Sequence, residues 1–189
     1  MKAGILLYGP PASGKDTISA ALTEQDPGLV QFQRLKIGPG RTHGYRLGTQ
    51  AQLEQLEAEG LVLYRNDRYD SVYLVDRPGL EALFGQGRTP VIHLGQLAGI
   101  HALQSGYRAA WLTVRLDCSR EVTAARSVAR GDTDTSARLA AWDATSDDLR
   151  GHDPAIWDLH IRTDQHDPAE SAETIRRTLA SRERSVVQG

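Results

Sequence analysis

The chain has 189 residues, 40% of them hydrophobic and 24% charged, and a net charge of -2. That length fits one domain with room for a small flap, and that charge gives no global reason to expect a nucleic acid or an anionic membrane as partner. The single Cys118 excludes an internal disulfide framework, and no apolar run approaches the roughly 20 residues that a membrane span needs. Met1-Lys2-Ala3-Gly4 leads into a short strand rather than a signal peptide, so a cytoplasmic protein, monomeric or homodimeric, is the expectation.

Taken in order, Ala3 to Tyr8 is an apolar strand and Gly14 to Glu24 a helix that ends at the turn Asp26-Pro27-Gly28. Leu29 to Ile37 alternates loosely and reads as a strand. Thr49 caps a helix, with Gln52 three residues on and Gly60 as its stop. Leu61 to Arg65 and Ser71 to Val75 read as an antiparallel pair, and Arg77-Pro78-Gly79 opens a short helix to Phe84. Strands follow at Pro90 to Gly95 and Trp111 to Leu116, each with a helix after it, from Leu97 to Ser105 and from Ser119 to Arg130. Past the interruption Gly131 to Thr135 a helix runs from Ser136 to Leu149. Asp158 to Arg162 is the last strand, and Asp167-Pro168-Ala169-Glu170 starts the last helix.

Alternating strands and helices predict an α/β fold, a parallel sheet covered by helices on both faces. The β-rich stretch from about 29 to 75 breaks the alternation and reads as an insert within one domain spanning 1–189. A second departure, at about 126–140, has the form of a lid: helix, polar hinge, helix.

The first loop carries the chemistry. Gly9-Pro10-Pro11-Ala12-Ser13-Gly14-Lys15-Asp16-Thr17 joins a strand to a helix in the spacing of a phosphate-binding P-loop. Its glycines let backbone N–H groups approach phosphate oxygens, the helix N-terminus adds donors, and Lys15 reaches the phosphates as a point charge. One position departs from the usual pattern: Asp16 stands where Ser or Thr is customary, and Thr17 follows. Either side chain offers a hard oxygen to Mg²⁺.

Phosphoryl transfer asks a protein for positioning and charge neutralisation. Arg126 and Arg130 share a helix face and Arg138 begins the next helix, so the three stand at the lips of the lid; read alone, they are equally surface arginines paired with nearby aspartates. Arg34, Lys36 and Arg41 surround Gly38-Pro39-Gly40, which is either an anion-binding loop or a solvated turn. Tyr45, Tyr64 and Tyr69 either contact a ligand or pack the insert. No acidic residue ends the strand at Leu94. His93 stands there instead, as a substrate contact or an ordinary buried histidine. The remaining histidines lack metal-ligand spacing.

In this order of parts the chain resembles the guanylate kinase family of nucleoside monophosphate kinases, from the P-loop to Asp164. The resemblance implies a P-loop kinase fold with an acceptor-binding insert and a helical lid, ATP and Mg²⁺ as cofactors, and a small phosphorylated acceptor. It implies that Gly9 to Thr17 hold the donor, with Arg162 and Asp164 near its adenine. It further implies that Arg126, Arg130 and Arg138 clamp the phosphates, and that Arg41, Tyr45, Tyr69 and Ser71 hold the acceptor phosphate. Arg34, Lys36 and His93 join these as substrate contacts on the reading of the residues alone. The two acidic residues with which that family reads guanine are replaced by Leu63 and Gly95, which argues against GMP. The Lys15-Asp16 pair resembles a relative in the same superfamily, ribose 1,5-bisphosphate phosphokinase, so a sugar phosphate or a specialised intermediate stays open as acceptor. A guanylate-kinase-like binding module without catalysis is the reading of another class.

Overall fold

The computed structural model describes residues 2–40, 42–68, 70–129, 131 and 135–187. Its main sheet has five parallel strands in the order β2 (Leu29–Gln31), β7 (Thr89–Leu94), β1 (Ala3–Tyr8), β8 (Ala110–Asp117) and β9 (Leu159–Arg162). β1 is central and buried along its whole length. Alternate residues serve the two faces, as a pleated strand requires. Ile5 and Leu7 pack with α1 (Lys15–Gln25) and α7 (Pro168–Val187), through Ile18, Leu22 and Ile175. Leu6 and Tyr8 pack on the opposite face with Leu97, Ile100 and Leu103 of α4 (Leu97–Gly106). A strand buried on both sides reads as an unbroken apolar run, which is why Ala3 to Tyr8 was legible at once.

The insert forms a second sheet of four strands, in the order β4 (Arg46–Leu47), β3 (Leu35–Ile37), β6 (Ser71–Asp76) and β5 (Val62–Arg68). β5 and β6 are the expected antiparallel pair. α2 (Gln50–Ala58) covers this sheet with Leu53 and Leu56 against Leu35 and Leu74, and Thr49 caps it by accepting from the Gln52 N–H at 3.2 Å. α3 (Arg77–Gly85) leads back to the main sheet, capped by Asp76.

The stretch Leu29 to Ile37, expected as one strand, is two strands in different sheets. β2 pairs with β7 of the main sheet and β3 with β6 of the insert. Between them Phe32 is buried in the main core. Its N–H still bonds the Val91 carbonyl at 2.9 Å, and the Arg46 guanidinium lies 5.3 Å from its ring. β4 was not expected, being two residues long.

α5 (Arg120–Ala129) and α6 (Thr135–Asp148) follow β8. The C-terminal end of α6 is tied to the carboxyl end of β1 and the start of α4. One Asp148 carboxylate oxygen accepts from the Tyr8 hydroxyl at 3.1 Å and from the Leu97 N–H, at the start of α4, at 2.7 Å. Burial, and then the Asp148 charge, push the Tyr8 phenol far above its ordinary range, so it stays a donor.

Leu112 is fully buried in β8. Leu112→Ala is expected to cost about 2–5 kcal/mol, seen as a lower urea midpoint at unchanged slope.

Candidate active site

The carboxyl ends of β1 and β7 are in register, Leu7 beside His93 and Tyr8 beside Leu94. Ligands of parallel α/β sheets bind at this edge. A cavity of about 740 Å³ opens there, walled by the P-loop, α1, the segment after β2, the turn before β4, and α5, α6 and the turn after β9.

The P-loop holds its own shape. The Lys15 ammonium donates to the Gly9 carbonyl at 2.7 Å and the Pro10 carbonyl at 2.8 Å. Gly14 has φ of 91°, a left-handed conformation that a Cβ disfavours, and it starts α1 without a side-chain cap. The donors of the first helical turn are therefore not taken up by a cap. Ala12, with φ of 59°, is left-handed as well. Pro11, Ala12, Gly14, Lys15, Asp16 and Thr17 line the cavity; Gly9, Pro10 and Ser13 are buried beneath.

Asp16 and Thr17 both line the cavity, and each carries side-chain oxygen. Among the described residues no group of three His, Cys, Asp or Glu could cage a metal. Two oxygen donors beside a phosphate-binding loop fit Mg²⁺, which keeps several waters and takes substrate phosphates as ligands.

His93 forms the floor. Its side chain is 12% exposed, with Nδ1 3.5 Å from the Asp16 carboxylate and 3.3 Å from the Gln31 amide nitrogen. Nε2 lies 2.6 Å from the Ser19 hydroxyl. Burial lowers its pKa to about 3, helped by the Lys15 charge and resisted by Asp16. The imidazole is thus a neutral hydrogen-bonding group.

Across the cavity, Arg34 and Tyr45 come from the insert. The Arg34 guanidinium lies 5.8 Å from the Tyr45 ring and 5.2 Å from the Tyr73 ring, at cation–π distance. Lys36 and Ser71 do not reach the cavity. Lys36 is 1% exposed and donates to the Gly38 carbonyl at 3.0 Å and also to the Pro39 carbonyl. Ser71 donates to the same Pro39 carbonyl at 2.9 Å. Both brace the turn after β3, because their strands point them inward. Arg41, Tyr69 and Arg130, expected in the site, lie outside the described residues.

Arg126 and Arg138 line the opposite lip. Arg162 and Asp164 pair with each other at 2.9 Å, and Thr163 between them is the residue that lines the cavity. Sequence reasoning had also missed Gln31, His43 and His166. Gln31 carried a usable signal as the polar end of a strand, whereas the two histidines come from turns without a pattern.

A model of the chloramphenicol phosphotransferase-like protein family matches residues 82–180, just over half of the chain. The chain belongs to that family. The matched stretch of this chloramphenicol phosphotransferase-like chain holds His93, Arg126, Arg138 and Thr163 and leaves out the P-loop. No curated protein matches it in sequence. Guanylate kinase from Anaplasma phagocytophilum is similar in structure, with a TM-score of 0.64 and 17% identity over 96% of this chain and 86% of that one. A gluconokinase from Sinorhizobium meliloti has a TM-score of 0.55 and 18% identity over 99% of this chain and 97% of its own. At such identities the likeness is one of fold, and it is the P-loop kinase fold that the sequence implied. Family and fold together make the chain a nucleotide-using phosphotransferase for a small phosphorylatable molecule.

A histidine that charges at pH 6.5 when unfolded and near 3 when folded makes the unfolded state bind more protons between those values. Stability therefore falls as pH drops through that window, by roughly 2 kcal/mol between pH 7 and pH 5 from this group. Urea titrations at the two pH values are expected to show a smaller difference for His93→Gln than for the unmodified protein.

Proposed function

We propose that the chain transfers the γ-phosphoryl group of ATP to a phosphate of a small, phosphorylated acceptor. The observation that carries this reading is the charge of the cavity. Lys15, Arg34 and Arg138 line it from three segments, and Asp16 is the one carboxylate among the described lining residues. Such an excess of fixed cations suits two polyanionic ligands held close together.

In this reading Lys15 and the P-loop amides hold the β- and γ-phosphates of the donor. Asp16 and Thr17 hold Mg²⁺, which when bound neutralises phosphate charge. Arg34 and Tyr45 hold the acceptor phosphate, and Arg138 faces the transferring group from the lid. An acceptor oxygen forms the new bond to the γ-phosphorus as the bond to the β,γ-bridging oxygen breaks and ADP leaves. The attacking phosphate oxygen is already anionic near neutral pH, so the step needs no general base, in keeping with a floor made of neutral His93 and Gln31.

The acceptor half favours no guanine. Leu63 packs against the apolar core, Gly95 follows β7, and neither offers a carboxylate. A sugar bisphosphate is the second reading, supported by the amide and imidazole of Gln31 and His93, which match neutral hydroxyl groups. The binding-module reading finds no support in the phosphotransferase family.

ADP release from MgATP, followed across GMP, the other nucleoside monophosphates and ribose 1,5-bisphosphate, is expected to select one phosphorylated acceptor. Lys15→Ala is expected to reduce its turnover at least about 100-fold. Full activity of that variant, or transfer only to unphosphorylated alcohols, overturns the reading.

A further inference from the structure

Arg126 was expected to reach over bound phosphates, yet its guanidinium is engaged elsewhere. One terminal nitrogen donates to the Ala12 carbonyl at 3.0 Å and to the Thr163 hydroxyl at 3.1 Å. The other donates to the Thr163 carbonyl at 2.7 Å. Thr163 is itself fixed, since its N–H and its hydroxyl both bond the Asp117 carbonyl at the end of β8, at 2.9 and 3.2 Å. A continuous chain of hydrogen bonds thus runs from the central sheet through Thr163 and Arg126 to the apex of the P-loop.

The apex needs such a support. Ala12 is left-handed at φ of 59°, a conformation that costs an L-residue about 1 kcal/mol or more and persists only where the surroundings impose it. The adjoining bond, Ser13 N–H to Pro10 carbonyl, is 3.2 Å long. The only other group on the Ala12 carbonyl among the described residues is the Cys118 thiol, a weak donor, at 3.8 Å. The fork of Arg126 is the strongest donor at that oxygen.

We propose that Arg126 is a positioning residue for nucleotide binding: it pins the Ala12 peptide through Thr163 and so presets the P-loop, acting by the geometry of its fork and not by its charge on the phosphates. This rests on the reading of the P-loop as the donor-phosphate site. Lysine carries the same charge but lacks the planar fork that spans Ala12 and Thr163, so the two modes of action separate.

The test compares the unmodified chain with Arg126→Lys, Arg126→Ala and Thr163→Val. ADP affinity is measured by calorimetry at low and high salt, and amide hydrogen exchange of residues 10–16 is measured without nucleotide. The expected result is that Arg126→Lys binds ADP about tenfold more weakly, close to Arg126→Ala, with a salt dependence like that of the unmodified chain. Thr163→Val, which changes no charge, is expected to weaken ADP about threefold. All three are expected to speed exchange in residues 10–16 while β1 amides stay protected. Full affinity and unchanged exchange in Arg126→Lys, or unchanged exchange in Thr163→Val, overturn the proposal. A chain that binds no ADP while the variants still speed P-loop exchange refutes the donor-site reading and leaves the brace standing.

Discussion

The site depends on one constraint: the P-loop must keep its backbone donors outward while its carbonyls turn in. Lys15 imposes it from beneath by drawing the Gly9 and Pro10 carbonyls onto its ammonium. Each of those carbonyls precedes a proline, so neither peptide plane has an N–H of its own, and the donors left for a ligand come from the residues after Pro11. The loop can afford this geometry because β1 ends in a fully buried tyrosine, which gives it a rigid base.

A similar device recurs in the insert with a different outcome. Lys36 is a buried ammonium whose bonds go to the carbonyls of Gly38 and Pro39. Burying a charge is unfavourable unless hydrogen bonds compensate it, and here two carbonyls do so. The turn it secures leads into His43, Gly44 and Tyr45, which form a wall of the cavity. The cation serves the cavity indirectly, by fixing the segment that carries the lining residues.

These two lysines mark how far the sequence could be read. Lys15 sits in a motif whose spacing encodes both loop and purpose. Lys36 sits in a three-residue strand, where residue type suggests a surface cation and only pairing with β6 turns it inward. Local periodicity located β1, β7, β8 and the helices, because each is long enough to show its pattern. It could not divide Leu29 to Ile37 between two sheets, since the partners, β7 and β6, are distant in the chain. Within the site, Arg162 and Asp164 stood out by charge, but opposite charges two residues apart satisfy each other. The uncharged Thr163 between them faces the cavity instead.

The Asp148 carboxylate, shared by Tyr8 and Leu97, also has a mechanical meaning. It anchors the C-terminal end of α6 in the core, while Arg138 lies near the other end. With 14 residues the helix is a rod of about 20 Å. Trp142, which donates to the Cys118 carbonyl at 3.1 Å, and Asp143, paired with Arg120, hold the same rod at its middle, so the position of Arg138 at the cavity is set by the core about 20 Å away.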